Sequence, residues 1–107
     1  MGNAQVALII PVYNEQENLP ELMRRLLPVM QGLKRSFEII FIDDGSRDSS
    51  LEILKGFTQH SQVKVIELVR NYGQHAAILA GFSIVHADIV ITMDADLQNP
   101  PEEIPSP

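Results

Sequence analysis

The feature that most constrains this chain is an alternation repeated four times. Short, β-branched apolar runs end abruptly in polar residues, and stretches with helical spacing separate them. Ala4 to Val12 reads AQVALIIPV, a nearly continuous apolar run that suits a strand buried on both faces, as in a parallel sheet. A helix is predicted to follow, with Asn18 as N-cap, Pro20 in the first turn and Glu21 three residues after the cap. Leu19, Leu22, Met23, Leu26, Leu27, Met30 and Leu33 share one face of it, and Pro28 predicts a kink or an early end. Phe37 to Ile42 (FEIIFI) is the second predicted strand, followed by a helix that Asp48 can cap and that carries Leu51, Leu54 and Phe57. Val63 to Val69 is the third strand. Gln74 to Val85 reads as a helix apolar nearly all round, hence central and buried, and Ile89 to Met93 as the fourth strand. Leu97 to Pro107, with four prolines, reads as an extended loop.

Such β-α alternation implies an α/β fold, a mainly parallel sheet of about four strands flanked by helices and joined by right-handed crossovers. At 107 residues and 45% hydrophobic content the chain is long enough for one core, taken as a single domain with residues 1–98 as the core and 99–107 as a Pro-rich tail. Fourteen acidic residues against eight basic ones give a net charge of -6, with no clustered basic face for nucleic acid. The absence of cysteine excludes disulfides, thiolate metal sites and cysteine nucleophiles. No apolar run approaches the roughly 18 residues of a membrane span, and the start lacks the basic segment of a signal peptide, so the piece is expected to be soluble.

In open parallel sheets, ligands bind beyond the carboxyl ends of the strands, where the strand order reverses. The unusual polar residues all fall at those ends: Tyr13-Asn14-Glu15, Asp43-Asp44, Arg70-Asn71 and Asp94-Ala95-Asp96. They are expected to converge on one crevice. Asp94 and Asp96, two apart at a strand end, share a face. Two carboxylates about 4 Å apart repel by about 4 kcal/mol at an effective dielectric of ~20, which favours a hard cation between them. Mg²⁺ or Mn²⁺ fits, completed by waters and substrate phosphate oxygens, with Gln98 available as a neutral oxygen donor. Asp43 and Asp44 stand where α/β proteins read a ribose or base edge, and ionised carboxylates accept from hydroxyls and a pyrimidine N–H. Helix capping suits Asp48 or Ser46 better. Arg70 is the one cation in the crevice and has two readings, a phosphate contact or a pair with an Asp. The start of the third helix near Gln74 and His75 is a further anion site by its dipole, although a packing role suits His75 better. No dinucleotide glycine fingerprint follows the first strand and no P-loop occurs.

The stretches IIPVYNEQENLPEL at 9–22, FEIIFIDDGSRDSS at 37–50, RNYGQHAAILAGFS at 70–83 and DIVITMDADLQNPPEEIP at 88–105 resemble the family 2 glycosyltransferases of the GT-A fold. RNYGQHAA and DADLQNPPEEIP look most like the polyprenyl-phosphate subgroup, which includes the dolichol-phosphate mannose synthases. Within it they look most like the undecaprenyl-phosphate 4-deoxy-4-formamido-L-arabinose transferases. The resemblance implies the Rossmann-like nucleotide-sugar-binding half of a GT-A domain. It also implies a UDP- or GDP-linked sugar donor, a polyprenyl-phosphate acceptor at the cytoplasmic face of the membrane, and a role in cell-envelope glycan biosynthesis. By the same resemblance Pro11, Tyr13 and Glu15 line the nucleoside pocket, Asp43 binds the base, and Asp94, Asp96 and Gln98 hold the metal, with Asp96 counted as catalytic. Chains of that family continue with further strands and an acceptor-side region. This chain is therefore expected to be a truncated, N-terminal donor-binding part that binds nucleotide weakly and transfers no sugar alone, with self-association through an exposed edge left open. Two other classes compete. A phosphoacceptor receiver domain would carry its acidic pair after the first strand, where Tyr13-Asn14-Glu15 stands, and a lysine after the last strand, whereas no lysine follows Lys64. A noncatalytic nucleotide-binding module is the other.

Overall fold

The run AQVALIIPV forms β1 (Ala4–Val12), whose side chains from Val6 onward are buried on both faces. The computed structural model describes residues 4–98 and 100–104; Asn99 and Pro105 to Pro107 of the expected tail lie outside them. The chain then runs through α1 (Leu19–Gly32), β2 (Phe37–Asp43), α2 (Ser50–Phe57), β3 (Val63–Glu67), α3 (Gln74–Phe82), β4 (Ala87–Thr92) and a 3₁₀ turn at Pro101–Glu103. All strand pairs are parallel, in the order β3-β2-β1-β4. From β1 to β3 the chain moves steadily toward one edge, and it then jumps back to place β4 on the other side of β1. The order therefore reverses between β1 and β4, which puts the ligand crevice of such a sheet at their carboxyl ends.

Alternation along the strands divides the core in two. Val6, Leu8, Ile10, Ile39 and Phe41 pack against Leu19, Leu22, Met23, Leu26 and Met30 of α1 and Leu54 of α2. Ile9, Ile40 and Ile42 on the opposite face meet Ala77 of α3. Gly81 lets α3 approach this closely, since a Cβ there would lie 2.7 Å from Ile9 Cγ2.

Several sequence expectations need correction. Helix α1 does not end early at Pro28 but continues to Gly32. Pro28 and Arg24 are both exposed, on the side of the helix where water can meet a carbonyl that lacks its helical donor. Asn18 occupies the N-cap position without capping; its side-chain amide donates instead to Glu15 Oε1 at 2.8 Å. Strand β3 stops at Glu67, short of Val69, and α3 stops at Phe82, short of Val85. Nor is α3 central: Leu79 is 60% and Phe82 45% exposed, because only the Ala77–Gly81 side meets the sheet. Uniform apolarity told nothing about which side that would be.

The tail is not simply extended either. Its 3₁₀ turn is held against α1 by a bidentate pair, Arg25 Nε to Glu102 Oε2 at 3.0 Å and Nη2 to Oε1 at 2.5 Å. The guanidinium lowers the Glu102 carboxyl from its ordinary 4.5 to about 2. A carboxyl depressed on folding contributes stability that is complete above its unfolded pKa and is lost as pH falls through the folded one. Docking of the turn is therefore expected to weaken as pH drops from about 4.5 toward 2. Amide hydrogen exchange at Glu103 and Ile104, measured across that range, should show the loss. In Arg25→Gln those amides should exchange fast at every pH; unchanged protection would contradict the clamp.

Candidate functional site

The loops after β1 and β2 are laced together before any ligand is considered. Asn14 takes a left-handed conformation (φ 52°), which asparagine tolerates better than most residues. Its N–H donates to Ser46 Oγ at 2.9 Å, and its Oδ1 accepts from the Arg47 N–H at 2.8 Å. Glu15 N–H donates to Ser50 Oγ at 2.8 Å, and Gln16 Oε1 accepts from the Ser49 N–H at 2.8 Å. Asp48 accepts from the N–H of Ser50 at 2.8 Å and of Gln16 at 3.3 Å, so it serves the start of α2 from one residue before the N-cap position, which Ser49 occupies. Burial alone would raise its carboxyl. The Ser50 hydroxyl and these N–H groups outweigh that and hold it below its ordinary value.

Asp44 organises the opposite wall. It is 2% exposed, and its carboxylate accepts from the N–H of Tyr72 at 2.8 Å, the N–H of Gly73 at 3.0 Å and Asn71 Nδ2 at 3.0 Å. The loop it holds lies directly on Gly45, where φ is 71° and a Cβ would sit 2.3 Å from the Arg70 carbonyl carbon. Backbone rather than a flexible side chain occupies that space, so only glycine fits.

Between these walls, at the carboxyl ends of β1 and β4, lies a cavity of about 300 Å³. Pro11, Tyr13 and Glu15 line one side and Asp94 and Asp96 another, with Asp44, Asn71 and Gln74 closing it. The expected convergence of strand ends is thus present for those residues, though not for every candidate. Arg70 lies outside the cavity lining: its Nε donates to Tyr72 Oη at 3.3 Å and its guanidinium carbon stands 5.4 Å from the Tyr72 ring centre. Among the described residues it pairs with no Asp, so that reading is corrected. Gln98 is exposed, and its backbone N–H, not its side chain, reaches Asp96 Oδ1, at 3.1 Å. Asp44 borders the cavity, but three donors of the chain itself already hold its carboxylate. Asp43 is 2% exposed and not part of the lining; Oδ2 accepts from the Ser46 N–H at 3.3 Å, while Oδ1 has no partner among the described residues.

The metal side is less crowded with ligands than a closed metal site. Among the described residues no three His, Cys, Asp or Glu groups gather for a cation. Asp94 Oδ1 accepts from Gln74 Nε2 at 2.7 Å. Asp96 is fixed by a tight turn in which Leu97 takes φ 66°, a conformation costing roughly 1–2 kcal/mol for a residue with a Cβ. Packing of Leu97 against the larger core holds that turn. Two carboxylates facing an open cavity suit a hard cation that keeps water or phosphate oxygens in its shell, which fits Mg²⁺ or Mn²⁺. Gln74 is not among the residues expected from the sequence to take part in this arrangement. Its only signal is its position as the first residue of α3, right after the polar RNYG stretch.

Residues 7–106 match the family model described as glycosyl transferase family 2. The chain belongs to that family. Over 103 residues it is 56% identical to the undecaprenyl-phosphate 4-deoxy-4-formamido-L-arabinose transferase of Salmonella choleraesuis, a match covering 94% of this chain and 32% of that protein. The same figures hold for the protein of that name from Salmonella newport. The chain thus spans about a third of the length of these curated relatives. Among solved structures it is similar to S. aureus TarS in complex with UDP, with a TM-score of 0.72 and 25% identity, covering 86% of this chain and 27% of that one. The mannosyltransferase PcManGT of Pyrobaculum calidifontis, in complex with GDP-Man and Mn²⁺, superimposes with a TM-score of 0.75 over 96% of this chain and 30% of its own, at 20% identity. That likeness is one of fold, the GT-A fold of family 2 glycosyltransferases. With the family settled, the receiver-domain reading falls away.

If Asp44 holds the 71–73 loop, removing its carboxylate strands N–H donors on a part-buried loop. Asp44→Ala should lower the unfolding free energy by about 1–3 kcal/mol, and Asp44→Asn, which keeps an acceptor, by less. Urea unfolding measures this, and an unchanged midpoint in Asp44→Ala would return the residue to a purely ligand-facing role.

Proposed function

We propose that the cavity between β1 and β4 is the donor site of a glycosyltransferase that moves a sugar from a UDP- or GDP-linked donor to a polyprenyl phosphate at the membrane. The observation that carries this reading is the pairing, across one cavity of a family 2 chain, of Pro11, Tyr13 and Glu15 with Asp94 and Asp96. The names of the relatives at 56% identity supply the acceptor class. No helix among the described residues is long and apolar enough to cross a membrane.

In this reading Pro11 and Tyr13 form the wall for the nucleoside, with Glu15 held at its rim by the Ser50 hydrogen bond. Asp43, outside the cavity lining, binds the base in this reading through Oδ1, which has no partner among the described residues and must be uncovered as the nucleoside enters. Asp94 and Asp96 hold Mg²⁺ or Mn²⁺, and Asp96 is the catalytic residue in that sense. Gln98 contributes through its backbone N–H, which fixes Asp96. Arg70, stacked on Tyr72, supports the loop of the opposite wall. The cation, when bound, supplies charge neutralisation for the departing nucleoside diphosphate. An acceptor phosphate oxygen forms the new bond to the anomeric carbon as the bond to the diphosphate breaks. An ionised phosphate needs no general base, consistent with a lining whose two carboxylates at β4 are assigned to the metal.

Calorimetric titration of UDP and GDP, each with and without Mn²⁺, tests the proposal. Binding of one nucleotide should tighten with Mn²⁺, and Asp94→Asn together with Asp96→Asn should abolish that gain while leaving the melting temperature unchanged. Equal affinity in the double variant would sink the assignment.

A further inference from the structure

We infer that Gln74 is a positioning residue for Asp94, fixing which carboxylate oxygen is presented to the cation; this rests on the metal reading above. The contact spans the cavity, from the first residue of α3 to the end of β4, with Gln74 Nε2 2.7 Å from Asp94 Oδ1. The identity of the amide atom follows from chemistry, since an ionised carboxylate only accepts and the amide must therefore present its NH₂. Gln74 is itself held from behind. Asp44 takes the N–H groups of Tyr72 and Gly73, immediately before it, and so fixes where α3 begins. A buried carboxylate thus sets the start of a helix, whose first side chain then sets a second carboxylate.

A carboxylate otherwise turns freely about its Cβ–Cγ bond and offers either oxygen, or both, to a metal. With Oδ1 engaged by Gln74, Oδ2 would be the oxygen that Asp94 presents to hold a cation. Mg²⁺ and Mn²⁺ favour six-coordinate oxygen sites, and Mg²⁺ in particular tolerates little departure from octahedral geometry, so a pre-set single oxygen raises affinity. Hydrogen-bond partners behind ligands typically account for ~10–100-fold in metal affinity.

Gln74→Met keeps the length of the side chain and removes the donor, and the exposed site makes the variant compatible with folding. Free Mn²⁺ measured by electron paramagnetic resonance, with UDP or GDP present, reads the affinity. The 107-residue chain, Gln74→Met, Asp94→Asn and the double variant form one cycle. Gln74→Met should weaken Mn²⁺ binding about tenfold or more, with the melting temperature unchanged, and should add nothing on the Asp94→Asn background. In the metal-free chain, the Gln74 side-chain amide proton resonances should move on Asp94→Asn. If Asp94→Asn loses Mn²⁺ while Gln74→Met does not, the inference is wrong and the metal reading stands. If Asp94→Asn retains Mn²⁺, the metal reading itself fails and takes the inference with it. Tighter Mn²⁺ binding by Gln74→Met would show the amide competing with the cation for Asp94, which also overturns the proposal.

Discussion

Parallel pairing of β1 on both sides, with β2 and with β4, is the constraint from which the rest follows. It makes β1 the most buried strand, which is why its sequence is apolar at nearly every position rather than alternately. It also forces the connections to be crossovers: α1 and α2 pack on one face, and α3, which carries the chain back past β1, packs on the other. Because all strands point the same way, their polar ends are delivered to one rim. The gap between β1 and β4 at that rim is open because no crossover joins those two neighbours directly.

Around that gap, the polar residues divide by task according to which groups hold their carboxylates. Asp44 and Asp48 spend their carboxylates on backbone N–H groups of the chain, shaping the loops on either side. Asp94 and Asp96 each have one oxygen engaged, by Gln74 and by the Gln98 N–H, and border the cavity. Asp43 differs again, buried with one oxygen unanswered. Five aspartates at or just after the ends of two strands, β2 and β4, are therefore not interchangeable. Two build the walls, two face the cavity, and one holds an unmet hydrogen-bonding demand of a kind a ligand can meet.

Much of this was legible in the sequence because strand ends are fixed by where apolar runs stop. AQVALIIPV and FEIIFI gave β1 and β2 to within a residue, and the D-x-D at 94–96 fell at the cavity because β4 ends just before it. What escaped was decided across the chain rather than along it. Nothing near Asp44 says that its partners are the amides of Tyr72 and Gly73, and nothing near Arg70 says that it turns back onto Tyr72. Likewise α3 is apolar all round, so its spacing carried no information about which side would meet the sheet, and the inference that it was buried throughout did not hold. The early end expected at Pro28 is absent for a local reason: a proline on the exposed side of a helix costs less than one whose stranded carbonyl is buried.

In the proposed function, nucleotide and cation share the rim between β1 and β4. The most direct measurement is a two-dimensional amide NMR titration of the isotope-labelled chain with UDP or GDP, followed by Mn²⁺ as a paramagnetic probe. Nucleotide-induced shifts are expected at Tyr13, Glu15 and Asp43 to Gly45. Mn²⁺ broadening should be strongest at Asp94 to Gln98 and Gln74 and absent from the exposed face of α1. Broadening centred anywhere else, or nucleotide shifts that leave the loops after β1 and β2 untouched, would contradict a shared rim.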